Sequence, residues 1–372
     1  MADIVDIDRP SSTTEPDVVI CLDGEALDRL GPILRHALVG LVDQAISIRV
    51  ASPDPRIAEL ALGPVGVIQH APKGILGNRR RALRLAESLA PRPPSIIHAT
   101  SHRSYALAAY LAEVFDADVV LQVTSARDCD QLARFPQARV DRVIAASAPL
   151  RSAVVEQLKF PADRVSLVRP GLAPAGHLAC FEEPENAATL LCMAPLERTS
   201  GVDTLISAIQ SLRGKFNLLT FLMGRGRHES ALREMVRQRG LAASVIFADP
   251  LNDPTSAMRE ADIFVRPASD STFAFDALEA MANGVVVIAC SDSVNDHLRH
   301  EETAFVISQC SPGTLVEAIT IVLQDREAAK QMATRAMDYV RKHHSMSEMA
   351  ERTAKVYREL ALQRATYSIG GP

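Results

Sequence analysis

The strongest constraint on this chain is a repeated change of period. Short β-branched runs alternate with helical patterns along most of the sequence, the signature of βαβ units and a parallel sheet. In the first half, strands are expected at Val18–Leu22, Ile46–Ala51, Val65–His70, Ser95–Ala99, Val119–Val123, Val143–Ala146 and Val165–Val168. Helices are expected at Leu27–Gln44, Asn78–Leu89, Ser104–Val114 and Ala148–Leu158, the last capped by Ser147. Pro170 to Pro184 holds prolines and glycines with little periodicity and reads as the interdomain connection. The alternation then resumes with strands at Ala188–Met193, Asn217–Met223, Ser244–Ala248, Ile263–Arg266, Val285–Ala289 and Ala304–Ile307. Helices are expected there at Gly201–Arg213, His228–Arg239, Asp253–Glu260 and Phe273–Ala282, and the chain turns helical from Pro312 to near Arg364. A length of 372 residues exceeds one ordinary core and suits two α/β domains.

Composition excludes several function classes. The chain is 47% hydrophobic and 23% charged, and it has no apolar run of the roughly 20 residues that span a bilayer. Met1 to Pro16 is acidic and polar, unlike a secretion signal, and reads as a leader on a cytoplasmic protein. The six cysteines are dispersed without a C-x-x-C pair, so buried thiols are expected rather than a disulfide framework or a zinc site. A net charge of −5 argues against nucleic acid as a partner.

The most informative block is Ala261–Ala289, ADIFVRPASDSTFAFDALEAMANGVVVIA. It resembles the donor domain of the glycosyl transferases group 1 family, in which a strand ending in Pro-Ser leads to an E-G-F-G loop, an LEAMA-x-G helix and a PVIA strand. SGVDTLISAI, FLMGRGRHESALREMVRQRGLAASVIFADP and the final helix ending in VYREL agree in order and spacing. The resemblance implies an α/β GT-B fold: two doubly wound Rossmann-like domains facing a cleft, with a C-terminal helix crossing back to the N-terminal domain. The implied organisation is a leader at 1–16, an acceptor-side domain at 17–173, a linker at 174–187, a nucleotide-sugar-binding domain at 188–345, a crossover helix at 346–364 and a tail at 365–372.

The same resemblance implies sugar transfer with retention from a nucleoside-diphosphate sugar to a glycan or lipid-linked acceptor, without metal or cofactor. It places His98 and Ser271 at the reacting centre, and Glu279, Arg198, Ser200, Gly224, Arg225, Thr272, Phe273 and Ala274 around the donor. Glu279 matches the glutamate that accepts ribose hydrogen bonds. Ser271 replaces the family's other glutamate, while Thr272 and Ala274 replace two loop glycines. Pro195 and Ser200 stand where the family has the Arg and Lys that neutralise the diphosphate, leaving Arg198 to reach those phosphates or to remain an exposed loop residue. Asp270 is the neighbouring substitute for the lost carboxylate, and Ser269, Asp270 or Ser271 is alternatively the cap of a helix starting near Thr272. Gly224, Arg225 and Gly226 match the G-x-G loop, with Arg225 and Arg227 as phosphate or base contacts or as plain loop residues.

In the first half, His98 and His102 follow a strand where the family often has a histidine near the sugar. Either is a hydroxyl ligand or proton acceptor, or a histidine satisfied in the interior. Arg79, Arg80 and Arg81, with Arg84 and the preceding Lys73–Gly77, form a basic patch that suits anionic lipid at the inner face of a membrane, or a solvated helix face. Two D-x-D matches, Asp116 with Asp118 and Asp128 with Asp130, are expected by chance among 45 acids, and no metal is assigned. The missing residues also admit a catalytically inactive relative serving as a binding or scaffold subunit.

Overall fold

The computed structural model describes residues 15–70, 78–182, 187–251 and 254–369. Lys73–Gly77, most of the leader and the side chains of Arg79–Arg81 lie outside what is described. The chain divides into two compact units, the first formed by Met1–Gly171 with Met346–Pro372 and the second by Leu172–Ser345.

The first unit runs β1 (Asp17–Cys21), α1 (Gly24–Asp43), β2 (Ser47–Ser52), β3 (Gly66–Gln69), α2 (Asn78–Leu89), β4 (Ile96–Ala99), α3 (His102–Phe115), β5 (Asp118–Val123), α4 (Ala126–Ala133), β6 (Arg142–Ala145), α5 (Ala148–Ser152) and β7 (Val165–Leu167). Its strands form one parallel sheet in the order β3-β2-β1-β4-β5-β6-β7. The second unit runs β8 (Ala188–Met193), α6 (Val202–Leu212), β9 (Leu218–Met223), α7 (Glu229–Gln238), β10 (Val245–Ala248), α8 (Thr255–Arg259), β11 (Ile263–Arg266), α9 (Phe275–Ala282), β12 (Val286–Cys290), β13 (Phe305–Ile307), α10 (Pro312–Gln324) and α11 (Arg326–His343). Its parallel sheet has the order β10-β9-β8-β11-β12-β13. Both units are therefore doubly wound, because each chain path proceeds to one edge and then returns to the far side of its first strand.

The last helix, α12 (Met346–Ile369), belongs to the first unit and runs on past Arg364. It packs on α1 so closely that a Cβ on Gly40 would lie 2.7 Å from that of Ala350. Arg358 donates to the Gln44 carbonyl at 2.6 Å, and Arg364 pairs with Asp116 and Asp118.

Three local features depart from expectation. The short helix α4 has no counterpart among the expected elements, because ARDCDQLA carries acids through its only two turns; Ser125 caps it by accepting from Asp128 N at 3.1 Å. The helix expected over Ala148–Leu158 narrows to α5 and continues as a π-helical turn at Ala153–Gln157, although Ser147 caps it as expected.

The third departure corrects the cysteine expectation, since Cys290 and Cys310 form a disulfide while the other four are free and buried. Cys290 ends β12 and pairs in register with Ile307 of β13. Chain leaving the neighbouring strand thus brings Cys310 within 5.8 Å, Cα to Cα, a normal bridging distance that wide sequence spacing conceals. Thiol titration of the unfolded chain is expected to yield four equivalents before reduction and six after it; six before reduction would refute the bridge.

Candidate functional site

In a doubly wound sheet the natural ligand position is the crevice at the carboxyl ends of the strands, where the strand order reverses. In the second unit that point lies between β8 and β11. The loops flanking it touch: Gly201, at φ +73°, caps α6, and a Cβ there would overlap the Pro267 carbonyl. No N-cap side chain caps α6, and in its first turn the Thr204 amide donates to the Asp203 carboxylate at 2.9 Å, an acceptor at the helix end that favours an anion. Ser200 closes the preceding turn by donating to the Glu197 carbonyl at 2.7 Å, and Arg198 is exposed on that turn.

Gly224 and Gly226 belong to the same layer. A Cβ on either would overlap a carbonyl oxygen of the β8–α6 loop, that of Ala194 or of Leu196, so these glycines permit backbone to meet backbone. Arg225 pairs with the exposed Asp249 at 3.0 Å, and the Arg227 amide donates to Glu197 at 3.0 Å.

The β11–α9 loop carries most of the expected donor residues, and here several expectations are corrected. The helix starts at Phe275 with Ala274 as N-cap and no side-chain capping bond, so none of Ser269, Asp270 and Ser271 caps it. Instead Asn295, buried at 5% exposure, holds the loop. Its Nδ2 donates to the Thr272 carbonyl at 3.0 Å, and its Oδ1 accepts from the Ala274 amide at 2.7 Å. The Ala274 amide is thereby spent. Phe273 is 2% exposed and packs against Phe275 and His297 at centroid distances of 4.8 and 4.7 Å. Its side chain is part of the core. Glu279 is 7% exposed on α9 and accepts from Thr255 Oγ1 at 3.3 Å.

Ser271 adopts φ +54°, a left-handed conformation that is costly for a residue bearing a Cβ. Ser271→Gly is expected to raise stability by about 1 kcal/mol by removing that strain, read as a higher melting temperature. A fall would mean that the hydroxyl, not the backbone, sets this turn.

Sequence reasoning missed Arg266. The last residue of β11, it is only 8% exposed, and its guanidinium meets three carboxylates: Asp270 at Nη2, Asp276 at 3.9 Å and Asp292 at 3.8 Å. Burial works against its charge, but Asp276, Asp270 and Asp292 outweigh it and raise the pKa. Asp276 is pushed above the usual carboxylate range by burial, which Arg266 only partly offsets. A strand ending IFVR gives no hint of this, because an arginine at a strand end normally reaches solvent.

In the first unit, His98 does not lie on an open edge. It is 5% exposed, and its Nδ1 lies 2.6 Å from the Tyr357 hydroxyl of α12; burial lowers its pKa to about 4. His102 is the more open histidine, three positions beyond the end of the same strand. Its Nδ1 and its backbone amide both meet Asp128 Oδ1, at 2.8 and 3.0 Å. Asp128 Oδ2 accepts from the Thr124 amide and hydroxyl at 2.9 and 3.0 Å. Burial raises the pKa of Asp128, but hydrogen bonds from His102, Thr124 and Ser125 outweigh that and hold it below the ordinary value. Asp128 is thus the orienting partner of a histidine. In the neutral tautomer that carries its hydrogen on Nδ1, toward the carboxylate, the lone pair is on His102 Nε2.

Residues 179–338, nearly all of the second unit, match the family model of glycosyl transferases group 1. That stretch is a group 1 glycosyltransferase domain. Among relatives of this domain, D-inositol 3-phosphate glycosyltransferase of Jonesia denitrificans is 28% identical over 202 residues, 50% of this chain and 44% of that protein. An uncharacterized glycosyltransferase of Methanocaldococcus jannaschii is 24% identical over 232 residues, 58% of this chain and 60% of that protein. The chain thus spans about half the length of the curated relatives it matches.

The fold likeness extends over both units. A glycosyltransferase from Rickettsia africae superposes with a TM-score of 0.74 at 15% identity, covering 93% of this chain and 98% of that one. Anabaena Alr3699/HepE, solved with UDP and glucose, gives 0.76 at 13%, covering 92% and 99%. These neighbours share the GT-B architecture. Among the described residues no helix is long and apolar enough to cross a membrane.

Proposed function

We propose that this chain is a glycosyltransferase that takes a sugar from a nucleoside-diphosphate sugar and passes it, with retention, to an acceptor hydroxyl. The observation that carries this reading is the group 1 match over residues 179–338, which falls on a unit whose switch-point loops converge beside the N-terminal end of α6. That end suits a diphosphate, and the buried Glu279 suits hydroxyl recognition. The Anabaena neighbour, solved with UDP-glucose, supports a sugar nucleotide as the donor class. On the first unit, His102, held by Asp128, is more open than His98, whose ring is covered by Tyr357.

The test is a panel of UDP- and GDP-sugars, followed by calorimetry for binding and by release of the free nucleotide for turnover. Absence of both heat and turnover at millimolar ligand would end this reading. A second reading, a binding or scaffold subunit, is favoured by the acidic surroundings of Arg266 and by Pro195 and Ser200 in the β8–α6 loop. Sugar-nucleotide binding without turnover would select it.

A further inference from the structure

The arrangement around Arg266 asks why a guanidinium is buried there. Burying such a charge costs far more than one exposed partner returns, so the three carboxylates must be separated by what holds each of them. Asp292 is fixed: its side chain is fully buried and accepts from Ser269 Oγ at 2.8 Å and from the Val294 amide at 3.0 Å. Asp276 sits in the first turn of α9, its Oδ1 accepting from the Ala277 amide at 2.9 Å. Asp270 differs. Its side chain is 64% exposed, yet its Oδ1 makes the direct contact with Arg266 Nη2 and also accepts from the Thr272 amide at 3.1 Å.

A guanidinium offers five N–H donors, and Arg266 Nη1 makes no hydrogen bond among the described residues. One exposed oxyanion therefore occupies a cradle of one buried guanidinium and one backbone amide, while Nη1 stays buried and makes only the 3.8 Å ion contact with Asp292. That is the donor set a phosphate oxygen requires, at the carboxyl edge of the sheet. It is also a cation outside the β8–α6 loop, where Pro195 and Ser200 supply none.

We propose that Arg266 and the Thr272 amide form the anion seat for the diphosphate of the donor, and that the Asp270 carboxylate occupies this seat as an internal stand-in until the ligand displaces it. The proposal rests on the reading that the second unit binds a nucleoside-diphosphate sugar, and it adds a self-competing anion to that site. The ligand must eject a tethered carboxylate, so affinity in the intact protein is set partly by Asp270.

Asp270→Asn tests this directly. The amide oxygen can still accept from the Thr272 amide, while the competing charge is gone. UDP and inorganic pyrophosphate are titrated by calorimetry into the full chain, the Asp270→Asn variant and an Arg266→Lys variant. Both ligands are expected to bind Asp270→Asn about tenfold more tightly than the unaltered chain, and Arg266→Lys at least about tenfold more weakly, since an ammonium cannot reproduce the planar fork. Asp270 is exposed, so Asp270→Asn alone carries the test if the Arg266 variant does not fold. Should UDP bind while Asp270→Asn leaves its affinity unchanged or weaker, the seat is wrong and the sugar-nucleotide reading stands. If pyrophosphate follows the expected pattern but UDP binds no better than pyrophosphate, the seat stands and the nucleotide reading falls. Neither ligand binding any of the three proteins would overturn the seat as well.

Discussion

Replacing Asn295 by alanine is expected to cost the second unit about 3 kcal/mol, the sum of two buried backbone groups left without partners and a small cavity. The Thr272 carbonyl and the Ala274 amide both depend on that one side chain, and Ala274 is 1% exposed, so water cannot replace it. For a unit of this size the change corresponds to a fall of about 10 °C in melting temperature. Asn295→Asp keeps the acceptor and loses only the donor, so it is expected to fall between the two. A loss below about 1 kcal/mol for the alanine variant would show that the β11–α9 loop is held by something else.

The second large effect is acid sensitivity arising from His297. Burial, with the neighbouring His344 next in importance, lowers its pKa to about 3 from an unfolded value near 6.5. The unfolded chain therefore binds a proton that the folded chain refuses. Stability falls as pH drops below about 6.5, and the loss is complete only at the folded pKa. By pH 4 this one group is expected to have cost about 3 kcal/mol. Asp276 works in the opposite direction within the same unit, so the histidine is isolated by comparison with His297→Phe, in which Asp276 still titrates. Urea unfolding at pH 7 and pH 4, with hydrogen exchange reporting on the second unit, is expected to show a pH loss about 3 kcal/mol smaller in the variant. Equal losses would mean that His297 is already protonated in the folded protein. In the first unit His98 adds the same kind of loss, opposed by Asp118, whose carboxyl burial pushes up to about 6.

Much of the architecture was legible because period-2 and period-3.6 patterns are local properties. Ala188–Met193 and Ile263–Arg266 fall where β-branched runs placed them, as does α2. The helix bearing Glu279 was legible for the same reason. What escaped was whatever depends on atoms brought together from distant positions. Asn295 has no motif, because its two partners lie on a loop more than twenty positions earlier. The charge of Arg266 is balanced by residues from three separate segments. Nothing local distinguishes His102 from His98: Asp128, in the first turn of α4, orients one ring, and Tyr357 covers the other. The left-handed Ser271 carries no sign in its identity, since serine rarely adopts that conformation.

The placement of α12 bears on the order in which the chain can mature. The second unit is encoded by one uninterrupted stretch, whereas the first is completed only by residues translated after the whole of the second. Until those residues arrive, His98 has no phenol to bond and the α1 surface around Gly40 has no cover. A nascent chain therefore carries a finished C-terminal module while its earlier-made partner still waits for closure, and a stop codon shortly after Ser345 would cripple the half of the protein farthest from it in sequence.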